Sequence, residues 1–311
     1  MAEEVTPQAE IADSACTIVA IIPAHNEQRF IGSVVLQARR YADAVIVVDD
    51  GSDDATAEIA QAAGATVLQH AQNLGKGVAL NTGFGAARHL CPDVVVVLDA
   101  DGQHATQQIP LLAKPVLEGR ADMVVGSRFM AGKGSVPPVR ALGLRAMTLL
   151  SNLGSGVALS DSQTGFRAFS RRALDGIIFT TNGFSVESEM QFLAQQLGLR
   201  TVEVPISCAY ADRPKRSIVG QGLEVLNGIL RLIGQHRPLL FFGVPGSAAL
   251  VLGLWWGVRV VEIYRRIGEL AVGYTLIAVL LCILGSIALS TGIILHSLRA
   301  LLLEQLGSKK G

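Results

Sequence analysis

Val94–His104 reads VVVVLDADGQH, a β-branched apolar run that stops abruptly at two aspartates, Asp99 and Asp101. A strand buried in a parallel sheet has this composition, and the two carboxylates then fall at its C-terminal tip. Open α/β sheets bind ligands at that edge. Two carboxylates one residue apart repel each other unless a cation lies between them. The segment is therefore either a sheet edge that holds a divalent metal and a diphosphate, or a solvated turn that carries two aspartates.

Three further stretches repeat the pattern. Thr17–Glu27 (TIVAIIPAHNE) and Ala44–Asp54 (AVIVVDDGSDD) are apolar strands running into polar turns, the second with Asp49, Asp50 and Gly51 at its tip. Asp122–Arg128 (DMVVGSR) is a shorter strand ending in Gly126 and Arg128. Polar strand tips separated by amphipathic helices predict a doubly wound α/β domain with one crevice along the tips. They weigh against the solvated turn. A dinucleotide-dependent oxidoreductase would need GxGxxG after its first strand, and here that strand feeds PAHNE.

PAHNE (Pro23–Glu27), VVDDGSDDAT (Val47–Thr56), LGKGVALNTGF (Leu74–Phe84), LDADGQH (Leu98–His104), VGSRF (Val125–Phe129) and DSQTGFRAFSR (Asp161–Arg171) occur in this order. Together they resemble family 2 glycosyltransferases of the GT-A fold. The nearer likeness is to dolichyl-phosphate mannose synthases and polyprenyl-phosphate glycosyltransferases. It covers roughly Thr17 to Tyr210. One departure is His25, where many members have tyrosine.

The resemblance implies a nucleotide-sugar site at Pro23, Ala24, His25, Glu27, Asp50, Lys76, Asp99 and Asp101. Asp50 offers a carboxylate to base or ribose hydroxyls. Asp49 reads equally well as a framework residue bonded to turn amides. Lys76 lies in a glycine-bounded GKG turn opening a helix over Val78–Ala87, where a helix N-terminus and a lysine suit an anion. The Walker spacing is absent. Asp99, Asp101 and Gln103 resemble the DxDxQ metal pattern of the group, and oxygen ligands of this kind suit Mg²⁺ or Mn²⁺.

On the acceptor side the resemblance implies a lipid phosphate held by Arg128 and Arg140, with Ser135 on the loop Met130–Val139, whose glycines and prolines suit a mobile lid. Arg213, Lys215 and Arg216 form a further basic cluster, for donor diphosphate or lipid phosphate, or as a patch for membrane headgroups. Asp161, Gln163 and Thr164 precede Gly165 in a turn that the resemblance puts beside the acceptor. Glu187 and Glu189 follow in GFSVESEM, and Glu189 is read as the sugar-orienting or base residue. The catalytic set is thus Asp101, Arg128 and Glu189.

Composition matters at the other end of the chain. Half of the 311 residues are hydrophobic, and the mean hydropathy is +0.42. The excess lies in Leu239–Val258 and Ala271–Leu295, neither of which holds a charged residue. Each is long enough to cross a hydrocarbon core of about 30 Å. Arg259–Leu270 is then a short charged connection, so both ends of the hairpin return to one membrane face. Lys215, Arg216, Arg231, Arg237 and Arg299 flank that face and favour a cytoplasmic catalytic domain, although three arginines of the connection oppose the rule.

Val219, Leu223, Leu226, Leu230 and Ile233 share one helical stripe before the first span. This reads as an interfacial amphipathic helix or as an ordinary helix packed on the soluble domain. Gly220, Gly222, Gly228 and Gly234 weaken any helix there. Met1–Ala15 is acidic without an apolar core, so a disordered tail is expected and no signal peptide is seen. The organisation expected is a tail over 1–16, a GT-A domain over 17–217, an interfacial segment over 218–237, a two-helix transmembrane hairpin over 238–298 and a tail over 299–311.

Cys16, Cys91, Cys208 and Cys282 show no metal spacing, which suggests a reducing compartment. The formal net charge is zero, so no nucleic-acid partner is implied. The expected partners are a nucleotide-diphosphate sugar (GDP-mannose, UDP-glucose or UDP-N-acetylglucosamine), a polyprenyl or dolichyl phosphate and membrane lipid, and self-assembly into a homo-oligomer is left open. The expected reaction is inverting transfer of a hexose to the lipid phosphate. The alternatives are extension of a lipid-linked oligosaccharide or cell-surface polysaccharide, and a non-catalytic subunit that assists a flippase. A processive synthase would carry a QxxRW-type motif, and the only tryptophans, Trp255 and Trp256, lie within a span.

Overall fold

Seven strands form one sheet: β1 (Ile18–Ala24), β2 (Ala44–Asp49), β3 (Thr66–Gln69), β4 (Val94–Val97), β5 (Met123–Ser127), β6 (Arg167–Ser170) and β7 (Thr201–Pro205). They are ordered β3-β2-β1-β4-β6-β5-β7 in this computed structural model. The structure describes residues 17–130, 136, 138–180, 186–209 and 218–308. The expected tail over 1–16 lies outside them. The chain divides into two units, Met1–Val225 and Leu226–Gly311.

The first unit is the α/β domain. Its helices are α1 (Ile31–Ala38), α2 (Thr56–Ala62), α3 (Lys76–His89), α4 (Ile109–Leu117), α5 (Pro138–Ser155), α6 (Arg171–Gly176) and α7 (Val186–Gln196). Alternate side chains of the central strands enter two cores, as the period of a strand requires. Ala20, Ile22, Val94 and Val96 pack with Ile31, Val35, Leu112 and Ala113 on one face. Val19, Ile21, Val95 and Val97 pack with Leu80, Phe84, Leu174 and Met190 on the other. Phe84 stands edge-on to Phe169 and Phe179, at centroid distances of 5.3 and 5.5 Å.

β1, β2, β3 and β4 pair in parallel, and so do β5 and β7. β6 runs antiparallel between β4 and β5, with Arg167 opposite Val97 and Val125. The sequence predicts the strands β1, β2, β4 and β5 and reads DSQTGFR only as a turn. The turn is there, but the chain leaves it straight into the sheet. Its N-terminal end therefore lies beside the C-terminal ends of β4 and β5. That inversion brings a third set of polar groups to the same edge.

The second unit is mainly helical. α8 (Ile218–His236) leads to a π-helical turn, Leu239–Gly243, which continues as α9 (Val244–Ile267) and returns as α10 (Val272–Ser308). Leu239–Ile267 and Val272–Arg299 are helices long and apolar enough to cross a membrane, with mean hydropathies of 1.7 and 2.5. Small residues let their backbones approach: a Cβ on Gly246 would lie 2.7 Å from Leu289 N, and one on Gly285 would lie 2.6 Å from Leu250 N.

One expectation changes here. Arg259, Glu262, Arg265 and Arg266 ride on the last turns of α9 instead of a connection, and the turn itself is Gly268–Ala271. Gly268 ends α9 with φ +75°, the left-handed cap that glycine supplies. Among the described side chains of α8, Ile229, Leu232 and Ile233 are buried and Leu223 and Leu230 are exposed. The glycines of α8 leave it continuous.

Candidate active site

Asp99 lies two residues beyond β4, where the buried run ends at Leu98. Its Oδ1 accepts from Lys76 Nζ at 2.5 Å, and its Oδ2 lies 3.2 Å from His104 Nε2. Burial works against the Asp99 charge, but the two cations outweigh it and hold the carboxyl well below the usual range. Gly165, in the turn before β6, passes directly over this carboxylate. A Cβ there would lie 2.5 Å from Asp99 Oδ2, so only glycine fits.

Asp101 is half-buried, and one of its oxygens accepts from Gln103 N at 3.0 Å. Burial and then the charge of Asp99 raise its carboxyl above the usual value. The charges of His104 and Lys76 work the other way and do not offset it. Among the described residues no three His, Cys, Asp or Glu side chains gather as a metal cage. Mg²⁺ and Mn²⁺ are commonly held by one or two carboxylates with substrate phosphates supplying other oxygens. The residues present fit that arrangement, with Asp101 as the leading donor.

Lys76 occupies the first turn of α3, after Gly75 at φ +95°. Its ammonium bridges Asp99 and Glu187, lying 2.6 Å from Glu187 Oε1. Burial opposes its charge, and the two carboxylates raise its pKa above the ordinary lysine value. His104 joins the cluster through Asp99, and its Nδ1 is 3.4 Å from Cys208 Sγ. Burial would keep it neutral, but hydrogen bonds with Asp99 and Cys208 push its pKa up to about 10.

The tips of β1 and β2 are tied to each other. His25 Nδ1 lies 2.9 Å from the Asp50 carbonyl, and Glu27 N donates to Thr56 Oγ1 at 2.8 Å. Pro23 and Ala24 pair with Val48 and Asp49 at the end of the ladder. Asp49 accepts from the Ser52 amide at 3.3 Å and also from its hydroxyl. Asp50 accepts from Leu74 N at 2.9 Å and Gly75 N at 2.7 Å, with His70 Nδ1 2.7 Å away. Asp50 thus shapes the turn that presents Lys76. A base or ribose hydroxyl would have to share its oxygens.

On the other side of the edge, Arg128 forks onto Asp161: Nε donates to Oδ2 at 2.6 Å and Nη2 to Oδ1 at 2.7 Å. Both residues are buried. Glu203 of β7 accepts from the Ser160 amide at 2.8 Å and fixes the same turn. Arg140 is half-buried on the first turn of α5. Ser135, Arg213, Lys215 and Arg216 lie outside the described residues.

Glu187 and Glu189 separate clearly. Glu189 is buried, and its Oε1 accepts from Thr180 N at 2.7 Å and Thr180 Oγ1 at 2.6 Å. Glu187, not Glu189, meets Lys76. Residues two apart on a helix point in different directions, and only the packing of α7 decides which one faces the strand tips. Glu203 and Arg167 were not singled out from sequence. Arg167 is fully buried, donating to Thr164 O at 3.0 Å and Ser162 O at 2.6 Å. Among the described residues its Nη1 has no hydrogen-bond partner, and burial pulls its pKa down to about 10 against the pull of Glu187, Asp161, Glu203 and Asp99.

Residues 19–178 match the family model described as glycosyl transferase family 2. The chain is 34% identical to the UDP-N-acetylglucosamine–dolichyl-phosphate N-acetylglucosaminyltransferase of Methanococcus voltae, over 63% of this chain and 86% of that one. It is 35% identical to the undecaprenyl-phosphate mannosyltransferase of Micrococcus luteus, over 61% and 82%. Among solved structures it resembles glucosyl-3-phosphoglycerate synthase from Mycobacterium tuberculosis in complex with Mn²⁺, UDP-glucose and phosphoglyceric acid. That likeness has a TM-score of 0.57 and 27% identity, and it covers 70% of this chain and 80% of the other. The strand edge described above is therefore that of a glycosyltransferase, and the chain belongs to glycosyl transferase family 2 with a GT-A fold.

Proposed function

We propose that this enzyme transfers a hexose, with inversion, from a nucleotide-diphosphate sugar to a polyprenyl phosphate at a membrane surface. The observation that carries the reading is the meeting of Asp99, Asp101, Lys76 and Glu187 at one sheet edge, in a chain that continues into two bilayer-length apolar helices. The names of the two relatives, both acting on polyprenyl or dolichyl phosphates, support the acceptor class.

In this reading the nucleotide lies along the tips of β1 and β2, at Pro23, Ala24, His25, Glu27 and Asp50. The donor diphosphate lies at Asp99–Gln103, beside the start of α3. Asp101, with Asp99 and Gln103, would hold a divalent metal, Mg²⁺ or Mn²⁺. Bound there, it would supply Lewis-acid neutralisation of the departing diphosphate. Lys76 keeps Asp99 ionised and holds both Asp99 and Glu187 in fixed directions, so Glu187 can orient sugar hydroxyls.

A phosphate monoester has its second pKa near 6, so the acceptor arrives as an anion. Its oxygen forms the new bond to the anomeric carbon while the bond to the diphosphate breaks, and the nucleoside diphosphate leaves with the electron pair. No strong base is required; orientation and cationic positioning are. Asp161 holds the Arg128 guanidinium in one orientation and balances its charge. The attraction for the lipid phosphate then falls more on Arg140 and on Arg213 and Lys215. The proposal keeps two spans, the GT-A domain on the cytoplasmic side, and membrane lipid as a partner.

The test is an assay of the full chain in detergent with a panel of radiolabelled nucleotide sugars and dolichyl phosphate, followed by organic extraction. One sugar should enter the organic phase, EDTA should stop transfer, Mn²⁺ or Mg²⁺ should restore it, and Asp101→Ala should abolish it. Equal labelling of dolichol and dolichyl phosphate would overturn the reaction class.

A further inference from the structure

Trp255, Trp256, Arg259, Val260 and Ile263 of α9 and Tyr274 of α10 line a cleft of about 160 Å³ beside the turn Gly268–Ala271. Trp256 packs against Trp255 at a centroid distance of 5.7 Å and against Tyr274 at 6.2 Å. Among the described residues, neither indole N–H nor the Tyr274 hydroxyl makes a hydrogen bond. Arg259 Nη1 donates to Glu262 at 2.8 Å, an exposed pair one helical turn apart, and among the described residues its Nε and Nη2 have no partner. Exposed pairs of this kind hold an arginine weakly.

Position along the helix gives the cleft its chemistry. Arg259 is the first charged residue after the uncharged run Leu239–Val258. At 1.5 Å per residue that run is about 30 Å long, the depth of a hydrocarbon core. Arg259 then reaches headgroup level in the leaflet opposite the one where the chain enters. Trp255 and Trp256 precede Arg259 by four and three residues, about one turn, and Tyr274 packs on Trp256, a level where amphipathic rings are favoured. The cleft is open on one side and has room for a phosphate group. The sequence around the turn carries three arginines (Arg259, Arg265, Arg266) and two glutamates (Glu262, Glu269), and of these only Arg259 lines the cleft.

We propose that this cleft binds the phosphate of an anionic phospholipid in that leaflet, with Arg259 as the cation and the indole and phenol groups as donors. The site fixes the depth and rotation of the hairpin. It rests on the proposed reading of α9 and α10 as spans and on nothing in the transfer reaction.

The chain's two tryptophans are both in the cleft, so tryptophan fluorescence of the full-length protein reports on this site alone. The protein is placed in bilayers of phosphatidylcholine doped with brominated phosphatidylglycerol or with brominated phosphatidylcholine. Quenching should show about fivefold preference for the anionic lipid, the effect of one arginine near a charged headgroup. Arg259→Gln should remove the preference, Tyr274→Phe should weaken it, and Arg265→Gln, outside the cleft, should retain most of it. Inorganic phosphate should not relieve the quenching. Equal quenching by both lipids, equal loss in Arg265→Gln, or relief by inorganic phosphate would each overturn the proposal. Quenching by neither lipid, as expected if a second copy or another protein covers the cleft, would overturn it together with the reading of the spans. A protein inactive in transfer would leave every one of these outcomes readable.

Discussion

The Lys76 ammonium lies 2.5 Å from Asp99 Oδ1, across 23 residues of sequence, and the same nitrogen reaches Glu187 on α7. One cation at the start of α3 therefore restrains two carboxylates from opposite halves of the domain. All three side chains are mostly buried, and removing the cation leaves two negative charges facing each other.

Lys76→Met should accordingly lower stability by about 3 kcal/mol, the lower end of the range for breaking a buried pair. It should also abolish transfer. Urea denaturation and the radiolabel assay measure the two effects. A variant with wild-type stability and turnover would mean that Asp99 and Glu187 do not depend on Lys76.

Glu187→Gln and Glu189→Gln should behave differently although they lie in one helical turn. The first removes a charge from the Lys76 cluster and should lower kcat about tenfold to a hundredfold, the worth of one charge-assisted hydrogen bond. The second weakens the clamp on Thr180 and should cost about 1–2 kcal/mol of stability with a smaller kinetic effect. A larger kcat loss in Glu189→Gln than in Glu187→Gln would restore Glu189 as the sugar-facing residue.

Arg128 and Asp161 should act as one unit in a double-mutant cycle. Each single alanine variant strands a buried charge and should cost about 3–5 kcal/mol. The double variant should cost less than the two together, by at least about 1.5 kcal/mol. Arg128→Lys should recover only part of the loss, because a point charge replaces a fork. Additive effects would show that the two charges are held independently.

Acid stability should depend on Asp122, remote from the site. Arg200 donates to its carboxylate from Nε at 3.0 Å and from the backbone N at 2.9 Å, and these bonds hold the Asp122 pKa below its ordinary value. A depressed folded-state value stabilises the fold above the unfolded value of about 3.9. The contribution is lost as pH falls below that value and through the lower folded one. Asp122→Asn should therefore lower Tm at pH 7 and narrow its gap to wild type below about pH 4. A gap independent of pH would rule out the carboxylate charge as the cause.

The sequence made β1, β2, β4 and β5 legible because each is a continuous apolar run with a polar tip. The edge strands β3 and β7 were not, since Thr66 and Pro205 are exposed and the runs are short. β6 was hidden because its first residue is an arginine, and a fully buried Arg167 has no signature that distinguishes it from a surface one. DADGQH, GKG and DSQTGFR identified the right segments of the site. They did not show that Asp50 braces the Lys76 turn or that Arg128 is locked to Asp161. Such partnerships span tens of residues and depend on the inverted β6. The charged end of α9 was misread as a connection because charge marks the limit of a hydrophobic run without breaking a helix.

The Ser127 and Ser160 hydroxyls lie 2.6 Å apart and form a neck. The described residues between them lie outside the sheet, which the chain leaves after β5 and rejoins at β6. Evolution, or an engineer, can thus treat Arg128–Leu159 as a cassette grafted on a constant donor-side frame. The attachments that would have to travel with it include the Arg128–Asp161 fork, Thr148 Oγ1, which accepts from Ser162 N at 3.2 Å, Ser151 Oγ, 3.0 Å from Ser188 Oγ, and Asn152 Oδ1, which accepts from Gln191 Nε2 at 2.7 Å. On the proposed reading, a change of acceptor can then be confined to this excursion while the tips of β1 and β2 stay as they are.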